Sequence, residues 1–131
     1  MVAELGTRLT QIKRALALTP AAPEQLLQDA VTIEKKLTEI RRALQGDTFM
    51  RRLNEPVPPS IMQRIQNASF SATSAPTQTH RDSYSIAAEE FEGVLATLRS
   101  LMETDLKQLE EAMEAAGAPW TPGRLPDWKR P

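Results

Sequence analysis

No cysteine occurs among the 131 residues, and that absence removes disulfides, thiolate metal sites and cysteine nucleophiles together. It leaves the compartment open, because a helical domain of this size buries a core without disulfides. Histidine is nearly as scarce. The single one, His80, has Thr77 where a Glu-x-x-His metal pair would need a carboxylate, and only Asp82 stands close in sequence. A solvent-facing histidine near a helix start is the expected role, and no Gly-x-Ser-x-Gly elbow exists to present a serine to it. The five glycines are scattered, so no phosphate-cradling loop is encoded. Aromatic residues are 5% of the chain, which leaves Leu, Ile, Ala and Met to build the core and favours helices over sheets. No apolar run approaches the ~20 residues of a membrane span. The opening Met1-Val2-Ala3-Glu4-Leu5-Gly6 reads as helix, not as an export leader. The net charge of −1 argues against a broad electrostatic surface for nucleic acid or anionic lipid. No cofactor, metal or catalytic set is therefore expected in this chain.

What the chain does carry is apolar periodicity. Leu5, Leu9, Ile12 and Leu16 recur at steps of four, three and four, one stripe of an amphipathic helix over 3–18. Pro20 ends it, since the residue before a proline is pushed out of helical backbone. Pro23 suits the first position of a second helix over 23–45. There Leu26, Ala30, Ile33, Leu37, Ile40 and Leu44 form a heptad-like seam, and Gly46 is placed to cap its end. Asp47 then caps a short turn carrying Phe49 and Leu53. The prolines of Pro56-Val57-Pro58-Pro59 forbid a continuous helix. Ser60-Ile61-Met62-Gln63 reads as a capping box opening a shorter helix over 61–72, with Ile61, Ile65 and Ala68 inward. Residues 69–77 are small and polar apart from Phe70 and read as a loop.

The last helix starts at Thr77 or Thr79 and runs over 78–116, about 58 Å at ~1.5 Å per residue. Its stripe is Phe91, Leu95, Leu98, Met102, Leu106, Leu109 and Met113, widened by Val94 and Leu101. Gly117 and Pro119 stop it. Together these segments predict an all-α fold. It is an antiparallel bundle of three main helices plus one short helix, a single domain over 1–131, with an ordered Pro/Trp-rich tail over 118–131.

Charge divides along the chain. Residues 1–75 hold ten Lys/Arg against seven Asp/Glu, and residues 76–131 hold six against ten. The basic run 35–52 is therefore expected to face the acidic run 103–114. The adjacent carboxylates Glu89-Glu90 and Glu110-Glu111 point about 100° apart on a helix and do not flank a glycosidic bond. The basic pairs Lys35-Lys36, Arg41-Arg42 and Arg51-Arg52 lack interleaved aromatics, so no nucleic-acid partner is expected. The most suggestive side chains for recognition are Trp120, Arg124 and Trp128. Exposed, they would make a platform for a glycan or a partner protein; the commoner arrangement is packing across a helix end.

Three segments go beyond periodicity: Asn54-Glu55-Pro56-Val57-Pro58-Pro59-Ser60-Ile61, Ala75-Pro76-Thr77-Gln78-Thr79 and Ala118-Pro119-Trp120-Thr121-Pro122-Gly123-Arg124. Together they resemble the C-terminal helical region of large bacterial proteins that carry a sortilin-like β-propeller of BNR-type repeats. Those proteins are often labelled glycosyl hydrolases. The resemblance runs from the second helix to the tail and marks a region, not an active site. It implies that the chain is a fragment of an exported parent, periplasmic or extracellular, with the β-propeller as its neighbour. Any catalytic residues would lie in that propeller, outside this chain. The function expected is a non-catalytic accessory or interaction domain. The alternatives are a carbohydrate-binding support module using Trp120 and Trp128, and an oligomerisation module that pairs through the second face of the long helix.

Overall fold

Helices carry the whole fold. The computed structural model describes residues 1–69, 78–119 and 121, and among them there is no strand. In chain order the elements are α1 (Val2–Ala17), α2 (Glu24–Gln45), the short α3 (Thr48–Arg52), α4 (Ile61–Ser69), α5 (Gln78–Ser100), a π-helical segment (Leu101–Leu106) and α6 (Lys107–Ala115). They form the all-α helical fold that the periodicity predicts. No helix among the described residues is long and apolar enough to cross a membrane. Most of the expected tail, the loop with Phe70 and the Thr77 cap lie outside the described residues; Thr79 sits inside α5. The chain divides into two compact units, Met1–Leu37 with Ser100–Pro131, and Thr38–Arg99.

In the first unit, α1 buries Leu5, Leu9, Ile12 and Leu16 as its spacing requires, together with Ala15. It stops at Leu18, whose N–H reaches the carbonyls of Arg14 and Ala15 at 3.2 Å each. Pro23 stands just before α2 rather than inside it. Its carbonyl accepts the N–H of Leu26 at 3.0 Å, so it occupies the cap position. The α2 seam is buried from Leu26 through Leu37. Lys13 bonds Glu34 at 2.6 Å and Lys36 bonds Asp105 at 2.6 Å, while Arg8 pairs with Glu110. The expected meeting of basic and acidic runs is thus partial: Lys36 makes it, but Glu110 is held by Arg8, outside the basic run. The two lysine pairs are the more exposed and fix register more than they stabilise, whereas Glu110 is buried.

The long last helix departs from regular α geometry, and the reason lies in its apolar spacing. Leu101 and Leu106 are both buried, five residues apart. On an α-helix, at about 100° per residue, that step sets them some 140° apart. The π-helical segment holds one extra residue and absorbs about 100° of the mismatch. Leu101, Leu106, Leu109 and Met113 then fall on one face. Met102, expected in the stripe, is half-buried, and Leu101 takes the core position.

In the second unit the local signals hold. Gly46 has φ +88 and donates its N–H to the Arg42 carbonyl at 2.8 Å, ending α2. Asp47 caps α3 by accepting the Met50 N–H at 3.0 Å. The capping box closes both ways: the Ser60 N–H donates to Gln63 Oε1 at 2.9 Å, and the Gln63 N–H donates to Ser60 Oγ at 3.2 Å. The expected inward faces do not all hold. Ile65, Phe91 and Leu95 are exposed, and Ala87 is buried instead. Leu44 is half-buried, and the side chain of Ala68 lies outside the described residues. Among the described residues, the large fully buried side chains Leu9, Ile12, Leu37, Leu101, Leu106 and Met113 all belong to the first unit; the second adds Ile61.

Candidate interaction surface

The thin core of the second unit has a counterpart on its outside. Two stripes run along α5, one residue and hence about 100° apart. One begins with the small Ser83 and Ala87 and goes on to Val94 and Leu98. The other is large: Tyr84, Ala88, Phe91 and Leu95. The structure turns the first stripe inward, with Ala87 and Leu98 buried and Ser83 and Val94 half-buried. The Ser83 hydroxyl donates to the Arg64 carbonyl of α4 at 3.2 Å, and Arg64 Nε lies 3.6 Å from Glu90 Oε1. Ala87 lets the two helices approach, and those polar links fix them.

The same two links give the direction of α4 against α5. Helical side chains lean toward their own N-terminus. Arg64, whose backbone is level with Ser83, reaches Glu90, further along α5. Moving back along α4 therefore means moving forward along α5, and the helices are antiparallel. In an antiparallel pair, advancing one residue from the contact line turns both helices toward the same side. On α4 the contact line is Ile61 and Arg64, so Met62 and Ile65 turn to one side. On α5 Tyr84, Phe91 and Leu95 turn to that side too. All five are exposed. They form one apolar face across two helices.

Among the described residues the other grooves have charged walls that are already paired. In the first unit one is lined by Asp29, Lys36 and Asp105, where Asp29 accepts from Gln25 and Asp105 from Lys36. A groove of about 370 Å³ runs beside Val57, Pro58 and Pro59, with Glu39, Asp47 and Glu90 on its walls. Glu39 and Asp47 both hold Arg42, at 2.7 and 3.2 Å, and Glu90 faces Arg64. Each carboxylate is committed to an arginine, which leaves no pair to work across a substrate bond. In the first unit a mostly apolar groove of about 430 Å³ is lined by Leu5, Gln11 and Met102, and its Arg8 is engaged with Glu110.

Of the residues that the sequence singles out for recognition, Trp120, Arg124 and Trp128 lie outside the described residues, while Thr121 between them is buried. His80 is half-buried and Asp82 accepts from Gln78 Nε2 at 2.8 Å. No group of three metal-ligating side chains comes together among the described residues. Sequence reasoning missed Tyr84 and Met62 as surface residues and assigned Ile65, Phe91 and Leu95 to the core. The available signal was the second stripe itself, which runs on from Phe91 back to Tyr84. No protein-family model matches the chain, and no curated protein or solved structure is significantly similar to it.

Proposed function

We propose that the chain is a non-catalytic helical interaction domain whose working surface is the apolar face of α4 and α5. One observation carries this reading. In the unit Thr38–Arg99 five large apolar side chains, Met62, Ile65, Tyr84, Phe91 and Leu95, stand exposed on one side of a helix pair, apart from the exposed Phe49, Met50, Leu53 and Ile86, while Ile40, Ile61, Ala87 and Leu98 are buried. A contiguous exposed apolar patch marks a binding surface; scattered single residues do not. The engagement of the groove carboxylates with arginines supports binding over catalysis.

The resemblance of the 54–61 joint, the Pro76-Thr77 helix start and the 118–124 tail supports a wider setting. In it the domain is tethered to a sortilin-like β-propeller in an exported parent, and any glycoside chemistry belongs to that propeller. The surface itself is tested with anilinonaphthalene sulfonate, a probe that fluoresces on apolar protein surface. At low protein concentration the folded chain should bind it. Combining Tyr84→Lys with Phe91→Glu should abolish the signal while far-UV circular dichroism and cooperative unfolding stay unchanged. A folded chain that leaves the probe dark, or a variant that binds it equally well, sinks this reading.

A further inference from the structure

Resting on that reading, we infer that the occupant of the face is a second copy of this chain, docked across a twofold axis with α5 antiparallel to α5. Area is the first argument. Tyr84, Met62, Phe91, Leu95 and Ile65 are 63%, 50%, 47%, 42% and 40% exposed. At ~200 Å² for a large side chain, they offer roughly 450–500 Å² of apolar surface. One side of a standard interface buries about 800 Å², of which somewhat over half is apolar, so these five supply roughly the apolar share that one partner contributes.

Self-complementarity is the second argument, because a twofold interface must match its own reverse. Arg81 and Glu92 are exposed and flank the large stripe of α5 on the same side, about three turns apart. An axis midway between them brings Arg81 of each chain to Glu92 of the other, twice. The same axis sets Tyr84 within one residue of Ala88 of the second copy, a large side chain against a small one. It also lays the Arg81 stem beside the Phe91 ring of the second copy, a favourable pairing of guanidinium and aromatic face. Glu89 and Glu90 turn away from the stripe and do not meet their copies.

Met62 and Ile65 share the side of the stripe. On α4 the axis falls at the first turn, because Arg64 is level with Ser83 and α4 begins at Ile61, so the two α4 helices meet only at their N-terminal ends.

The test is the molar mass of the full chain by sedimentation equilibrium, over a dilution series up to about millimolar, with charge-swapped variants. The wild-type chain should show reversible monomer–dimer behaviour. Arg81→Glu places like charges together twice and should weaken the dimer about tenfold, the scale of two lost and reversed surface pairs. The double variant Arg81→Glu with Glu92→Arg should restore it to within a few fold, a rescue that a change in fold does not produce. Phe91→Glu should abolish the dimer. A chain that stays monomeric throughout overturns the inference, as does a dimer that survives Phe91→Glu or a double swap without rescue. Probe binding by a chain that never dimerises means that only the second copy is wrong and that the face serves another partner, such as the parent's propeller. A dark probe on the monomer removes the face itself.

Discussion

Deleting Thr104 should leave the fold standing, whereas deleting Thr10 should nearly unfold it. Both residues are exposed. Thr104 lies inside the π-helical segment, which holds one residue more than α geometry needs. Without it the segment closes to an α-helix and the step from Leu101 to Leu106 falls from five to four. Leu101, Leu106, Leu109 and Met113 then still span only about 60°. The loss should stay under ~1.5 kcal/mol, chiefly the Lys36–Asp105 pair and local rearrangement. Thr10 lies in regular α1, between Leu9 and Ile12. Its removal turns Ile12 and Leu16 about 100° away from Leu5 and Leu9, so one end of the helix loses two large buried side chains. At ~1.5–3 kcal/mol each, the loss is ~3–6 kcal/mol, against the ~5–15 kcal/mol that a whole domain of this kind holds. Urea unfolding followed by far-UV circular dichroism measures both. Equal losses for the two deletions would refute the claim that the π-helical segment stores the extra residue.

Other outcomes follow from single positions. Gly93 sits exposed in α5 with open space where a Cβ would go, so Gly93→Ala should raise stability by ~0.5–1 kcal/mol in the same urea assay. Gly46→Ala should lower it by ~1–2 kcal/mol, because φ is +88 there and the new Cβ meets the Arg51 guanidinium, which has to swing aside. Arg8→Met leaves Glu110 buried without its arginine and should cost ~2–4 kcal/mol, somewhat below a fully buried pair because the Arg8 side chain keeps 24% exposure. The double variant Arg8→Met with Glu110→Met should recover most of that loss; a double variant as unstable as the single one would contradict the pairing.

Much of the fold was legible because its signals are local. The seams of α1 and α2 alternate steps of four and three without competition, and each cap needs only residues within one turn. Asp47 with Met50 and Ser60 with Gln63 are of this kind. The errors arose where two readings of one stretch competed. In α5 the larger stripe, Phe91 with Leu95, outweighs Ser83 and Ala87 by hydrophobicity. At Ser83 and Ala87 the fold turned the small residues inward because close helix approach and the Ser83–Arg64 bond reward them, and that partner lies on another helix. In the last helix the five-residue step from Leu101 to Leu106 was present in the sequence, but Met102 offered a regular four-step path and hid it. Of the candidate site, the apolar residues themselves were visible; their common side required the direction of α4 against α5.

The most direct measurement is the urea midpoint of Phe91→Glu, taken at a protein concentration low enough to keep the chain monomeric. With Phe91 on the surface of α5, the variant should unfold within ~0.5 kcal/mol of the wild-type chain, as surface substitutions do. A loss of ~3–5 kcal/mol, the scale of a phenylalanine removed from a core, would put Phe91 inside the bundle and dissolve the face on which the proposed association rests.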